Sequence, residues 1–198
     1  EKAYSICNSG RPGPVFLDIP ADIQNAFIDE KKIIKQKYKP KKINYLIDKK
    51  IDIIIKKLKN SKYPLIHLGH GVRLSNSEKL VERFFNKFKI PFVVTWNADD
   101  IISHSHKMFF GRPGAFGERG SNFIVQNCDF YLSIGTRLPF MVTGYNVKKF
   151  ASRSKFKAMV DIDTHELRKD ELKIDLKIKS DAKFFIRKFL SKLKKYSS

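Results

Sequence analysis

The chain has 198 residues, 42% of them hydrophobic with 17 Phe, and a formal net charge of +20. That length holds one ordinary domain plus a shorter piece, and the apolar share supplies a real core, which excludes a disordered chain. The 31 lysines, against nine arginines, are spread over every segment; this argues against a nucleic-acid partner, which calls for an Arg-rich stripe with interleaved exposed aromatics.

In chain order, a short helix is expected up to Gly10. Ser9-Gly10-Arg11-Pro12-Gly13-Pro14 makes a fixed-φ turn, and Val15-Phe16-Leu17-Asp18-Ile19 reads as an apolar strand stopped by Pro20. This is the closing helix–turn–strand of an α/β domain, so residues 1–23 read as the C-terminal remnant of a preceding domain. Residues 24–42 are polar, Lys-rich and without a period, and read as a linker. From 43 to 198 a self-contained alternation follows. Ile43, Leu46, Ile47, Ile51, Ile54, Ile55 and Leu58 recur at helical spacing over about 43–60. Pro64–Leu68 is a strand running into Gly69-His70-Gly71. Ser75 and Glu78 suggest a capping box for a helix with Leu80, Val81, Phe84, Phe85 and Phe88 on one face.

Pro91–Thr95 is the next strand, followed by a Gly-rich loop over about 103–120 and a short helix from Ser121 to Cys128, with Ser121 or Asn122 as its cap. Further strands are expected at Phe130–Ile134, Lys157–Asp163 and Asp175–Lys179, before a terminal amphipathic helix opened by Asp181. Continuous apolar strands alternating with helices imply a doubly wound parallel sheet, covered on both faces. Cys7 and Cys128 have no metal-ligand spacing and read as reduced. No apolar run approaches the about 18 residues of a membrane span, and no signal-peptide pattern opens the chain, so a cytoplasmic protein with no membrane partner is expected.

Three motifs sit at strand ends. Gly69-His70-Gly71 precedes a helix, where glycines let backbone N–H groups approach a phosphate; the alternative is a tight turn. Gly135-Thr136-Arg137 offers a guanidinium for a phosphate or for a salt bridge. Asp161-Ile162-Asp163 offers a carboxylate for a ribose hydroxyl or a cap for the helix near Thr164. Together they would line one carboxyl edge, the layout of a nucleotide crevice. The loop Phe110–Asn122 reads as a structured turn or a contact loop. His104 and His106 lack a third ligand, so no metal is expected. No nucleophile–base pair or carboxylate pair stands out, and no catalytic residue is assigned within the chain.

The order of these motifs resembles that of thiamine-diphosphate-dependent enzymes of the acetolactate synthase-like group. Gly10-Arg11-Pro12-Gly13-Pro14 with Val15–Pro20 is similar to the end of their pyrimidine-binding domain. Tyr63–Ile66 into Gly69–Val72, Ile90–Thr95, Gly111-x-x-Gly114, Asn127–Leu132, Ile134–Leu138, Val142–Gly144 and Val160–Asp163 resemble their central domain. The resemblance implies a six-stranded, Rossmann-like doubly wound sheet inside a larger enzyme. That enzyme would be a transferase or decarboxylase acting on 2-keto acids such as pyruvate, working with thiamine diphosphate and magnesium as a homo-oligomer. The catalytic Glu and the metal motif would lie outside this chain, leaving the fragment inactive alone. The resemblance also implies a cofactor crevice formed by Gly69, His70, Gly71, Thr95, Trp96, Gly135, Arg137, Asp161 and Ile162, which holds a non-redox FAD in some members. Those members continue the Gly-x-Arg strand end with Phe-Asp-Asp-Arg, whereas this chain has Leu138-Pro139-Phe140-Met141, so FAD is disfavoured here. The other reading is a non-catalytic nucleotide-binding or scaffold module.

Overall fold

The computed structural model describes residues 1–34 and 46–196, and the chain divides into two units, Glu1–Asn44 and Tyr45–Ser198. In the first unit, helix α1 (Lys2–Cys7) precedes a turn at Gly10, where φ is +61°, and a second short helix, α2, covers Ala21–Gln24. Val15–Ile19 has no ladder partner among the described residues, so the expected strand is not formed there. A strand is defined by the neighbour it pairs with, and sequence shows only the propensity. The second part of the expected linker, from residue 35 to 42, lies outside the described residues, as does Ile43.

The second unit runs α3 (Asp48–Lys59), β1 (Pro64–Leu68), α4 (Gly71–Leu74), α5 (Glu78–Lys87), β2 (Phe92–Val94) and α6 (Arg119–Asn127). It continues with β3 (Phe130–Ile134), α7 (Phe140–Thr143), β4 (Phe156–Asp161), α8 (Thr164–Leu167), β5 (Leu176–Lys179) and α9 (Ala182–Tyr196). All four strand pairings are parallel, in the order β2-β1-β3-β4-β5. The sheet has five strands among the described residues, where six were expected. Beyond β2, a sixth position is reduced to one parallel bridge between Phe92 and Phe109. The segment bonds to β2 through Met108, Phe110 and the Gly111 carbonyl, which accepts from Val94 N at 3.1 Å, and Gly111 itself has a φ of +83°.

Period-two alternation sorts the strand side chains onto two buried faces. Ile66, Leu68, Phe92, Val94, Phe130, Leu132, Ile134, Ala158 and Val160 face the layer of α3, α5 and α9. Leu65, Val93, Tyr131 and Met159 face the layer that holds Val125 of α6, Val142 of α7 and Leu167 of α8. Helix α3 buries Ile51, Ile54, Ile55 and Leu58, the expected stripe, while Leu46 is exposed. Phe85 meets Phe92 at 4.1 Å between ring centroids, and Phe84 stacks on Phe189 at 5.4 Å. Each such fully buried side chain contributes about 1.5–3 kcal/mol, and this double-sided burial holds the strand ends in place.

Two caps differ from expectation. Helix α5 starts at Glu78 with Ser77 as its N-cap; Ser75 is not part of a capping box. Both serine hydroxyls donate to the Val72 carbonyl at 2.9 Å, closing the turn between α4 and α5 instead. In α6 the N-cap is Glu118, so Ser121 and Asn122 lie inside the helix. The terminal helix opens as expected, with Asp181 accepting from Phe184 N at 2.9 Å.

Candidate functional site

The register puts Leu68 opposite both Val94 and Ile134, and Ile134 opposite Val160. Parallel strands that end level must release their loops on one edge. Thr95-Trp96, Gly69-His70-Gly71, Gly135-Thr136-Arg137 and Asp161-Ile162 therefore leave the sheet side by side, in that order. After β2 the chain crosses back over β1 to β3, so the winding reverses between β1 and β3. In open parallel sheets, that reversal is where ligands are taken up.

At this reversal the two glycine loops meet backbone to backbone. Gly69 N donates to the Ile134 carbonyl and Gly71 N to the Gly135 carbonyl, both at 2.9 Å. Gly135, at φ +63°, donates its own N–H to the Val160 carbonyl at 2.9 Å. A Cβ on Gly69 would sit 2.5 Å from Thr136 Cα, and one on Gly71 would sit 2.8 Å from Gly135 Cα. Val72 N is bonded to the Gly69 carbonyl at 3.0 Å, and Thr95 N to the Leu68 carbonyl at 2.9 Å. The helix that follows, α4, is one turn long, too short to present an aligned dipole.

The neighbouring side chains are engaged as well. His70 Nδ1 lies 2.7 Å from the Asn97 carbonyl, and Arg73 pairs with Asp100, so the β1 and β2 loops are tied together. Trp96 is 50% exposed and leans on Phe116, with ring centroids 6.2 Å apart. Arg137 donates from Nε to Glu166 Oε1 at 2.7 Å. Glu166 is 6% exposed and also pairs with Lys169. Burial alone would raise its carboxyl pKa, but the hydrogen bonds from Lys169 and Arg137 hold it below the usual range. Buried Asp161 accepts from Asp163 N at 2.9 Å, and Asp163 caps α8 by accepting from His165 N at 2.8 Å. Ile162 is half-buried beside them.

The loop over residues 110–122 is a closed turn. Glu118 accepts from Arg112 Nε at 3.0 Å, from Arg112 N at 2.6 Å and from Ser121 Oγ at 3.1 Å. Burial would raise the Glu118 pKa, yet these bonds hold it down at about 2. Arg112 also reaches Asp99 at 3.2 Å, and Asp99 in turn meets His104 Nε2 at 3.0 Å. Asn122 clasps both the N–H and the carbonyl of Gly114 at 2.9 Å. Ala115 N donates to the Met141 carbonyl at 2.8 Å, which lays the loop against α7.

A dinucleotide needs free N–H donors for its phosphates and an unengaged carboxylate for its ribose. The amides of Gly69, Gly71, Val72 and Gly135 are bonded within the chain, and Arg137 and Asp161 have partners, so the residues present do not fit FAD. Among the described residues no group of three His, Cys, Asp or Glu could hold a metal ion. Sequence reasoning grouped the nine site residues on one edge but missed Glu166 and Asn97, which bind Arg137 and His70, and Asp100, which pairs with the neighbouring Arg73. No local signal marks these three, because each partner comes from a different loop.

Comparison with known proteins extends along almost the whole chain. Residues 51–193 match the family described as thiamine pyrophosphate enzyme, central domain. The chain is 34% identical over 197 residues to a probable acetolactate synthase large subunit of Methanocaldococcus jannaschii, covering 96% of this chain and 32% of that protein. It is 31% identical over 196 residues to the acetolactate synthase large subunit of Corynebacterium glutamicum, covering 98% and 30%. With that of Lactococcus lactis it shares 28% over 193 residues, covering 96% and 32%. The chain thus spans about a third of the length of these relatives.

Proposed function

Because the chain belongs to the thiamine pyrophosphate enzymes, as their central domain, we propose that the protein containing it is an acetolactate synthase-like transferase that condenses 2-keto acids such as pyruvate. The observation that carries this reading is the match to acetolactate synthase large subunits over 96% of the chain. Relatives with enzyme names favour it over a free-standing nucleotide-binding or scaffold module. In this reading residues 1–23 end a preceding pyrimidine-binding domain, 24–42 connect it, and 43–198 form the central slab. The boundary after Asn44 supports that division. Thiamine diphosphate and magnesium are the cofactors, held by other segments of the enzyme. Among the described residues no group of three His, Cys, Asp or Glu could hold a metal ion, and the reading assigns the catalytic steps to those other segments. Its role is architectural: a doubly covered sheet that holds its edge loops at fixed positions.

The whole enzyme is read as a cytoplasmic homo-oligomer; no helix among the described residues is long and apolar enough to cross a membrane. The test uses the full-length protein with pyruvate, thiamine diphosphate and magnesium, following acetolactate and carbon dioxide. Turnover that requires both cofactors is expected. Absence of cofactor-dependent consumption across pyruvate and other common 2-keto acids would overturn the assignment.

A further inference from the structure

We propose that the crevice between β1 and β3 is a self-closed backbone clasp, which does by internal hydrogen bonds what a bound flavin would do in a cofactor-holding relative, so that this protein takes no FAD or other dinucleotide there. Three independent observations carry it. The first concerns the donors. A pyrophosphate is held by backbone N–H groups aimed at it, but Gly69 N, Gly71 N and Gly135 N each donate to a carbonyl of a neighbouring strand end at 2.9 Å. Opening them would expose three carbonyls as well as three amides.

The second is the space itself. Glycines in a nucleotide loop leave room for a ligand to approach the backbone. Here the room left by Gly71 is filled by Gly135 Cα, and that left by Gly135 by Gly71 Cα, which a Cβ would approach at 2.8 and 2.9 Å. The glycines serve the contact of one loop with the other.

The third is the charge balance. Arg137, two residues past Gly135, is drawn sideways onto Glu166, which is 6% exposed. Turning the guanidinium towards a phosphate would strip one of two cations from a buried carboxylate. Beyond it, Thr136 Oγ1 accepts from Leu138 N at 3.3 Å, and the 110–122 loop closes over α7 through Ala115 and Met141.

The test takes the full-length protein, purified without added flavin. Heat-released flavin is measured first; the protein is then titrated with FAD, NAD and ADP to about 0.1 mM, far above the micromolar range of a specific site. Hydrogen exchange of the segments 69–72 and 135–138 is followed with and without FAD. Expected are flavin well below one mole per mole of chain, no saturable binding, and slow exchange at Gly69, Gly71 and Gly135 that FAD leaves unchanged. Copurified flavin near one per chain, saturable binding of any of the three, or fast exchange at these amides would overturn the clasp. The outcome is separable from the enzymatic assignment: turnover without flavin supports both, turnover with stoichiometric flavin defeats only the clasp, and absence of turnover without flavin defeats only the assignment.

Discussion

Replacing Gly69 by Ala tests the contact on which the edge geometry depends. The added Cβ would lie 2.5 Å from both Cα and Cβ of Thr136 and closer still to the Gly135 carbonyl oxygen. Ordinary carbon–carbon contact is about 3.5–4.0 Å, so two strand ends joined by a 2.9 Å hydrogen bond from Gly69 N to the Ile134 carbonyl must part by about 1 Å. Overpacking of this kind costs about 1–3 kcal/mol, and the obstacle here is backbone, which points to the upper half of that range. The lower entropy of the unfolded alanine chain returns about 0.4–1 kcal/mol. The net loss is about 1–2.5 kcal/mol, or a Tm lower by about 2–10 °C for a unit of this size. Gly120 is the internal control. It is the second residue of α6 and a Cβ there meets nothing within 4 Å, so Gly120→Ala is expected to gain about 0.5–1 kcal/mol from helix propensity. Thermal denaturation followed by circular dichroism, with urea midpoints alongside, gives both signs. A Gly69→Ala protein as stable as the parent chain would refute the backbone contact and the clasp built on it.

Two further outcomes follow from buried and paired groups. His67 is fully buried, shares a 2.7 Å hydrogen bond through Nδ1 with the Tyr131 hydroxyl, and burial lowers its pKa to about 3. Between pH 6.5 and 3 the unfolded chain takes up a proton that the folded chain refuses, so acidification destabilises by about 1 kcal/mol per pH unit. His67→Gln should remove that slope; a stability difference from the parent that stays constant from pH 7 to 4 would contradict it. Glu118→Ala removes the acceptor that closes the 110–122 loop. The bonds are charge-assisted but half exposed, so the cost is about 1 kcal/mol after discounting for solvent. The single tryptophan, Trp96, rests on Phe116 of that loop, and its emission should shift to the red. Because the Glu118 pKa is held at about 2, the loop's contribution is present above the ordinary carboxyl range and is lost only as pH falls towards 2. Unchanged emission in the variant would show that Arg112 and Glu118 do not shape the loop.

The doubly wound sheet was legible because β1 to β4 are short, largely apolar runs flanked by turn-forming residues, with β5 an alternating Leu-Lys-Ile-Lys, and because helices such as α3 carry their core stripe at Ile51, Ile54, Ile55 and Leu58. The cap at Asp163 was legible for the same reason, since its acceptor lies two residues from its donor. The cap of α5 was not: sequence pointed to Ser75, but Ser77 is the N-cap, both hydroxyls are satisfied by the same Val72 carbonyl, and only the turn geometry selects the cap.

The edge itself belongs to tertiary structure. Sequence alone marked the strands of the sheet to within about two residues of their ends, because propensity and turn chemistry act over a few neighbours and are written in contiguous residues. Whether Gly69 faces a ligand or Gly135, whether Arg137 is free or held by Glu166, and whether the segment after β2 becomes a sixth strand or a single bridge at Phe109 depend on register between distant segments. Those choices are made by packing, since a hydrogen bond such as that from Gly69 N to the Ile134 carbonyl has no local imprint and exists only once the sheet has brought the two ends level.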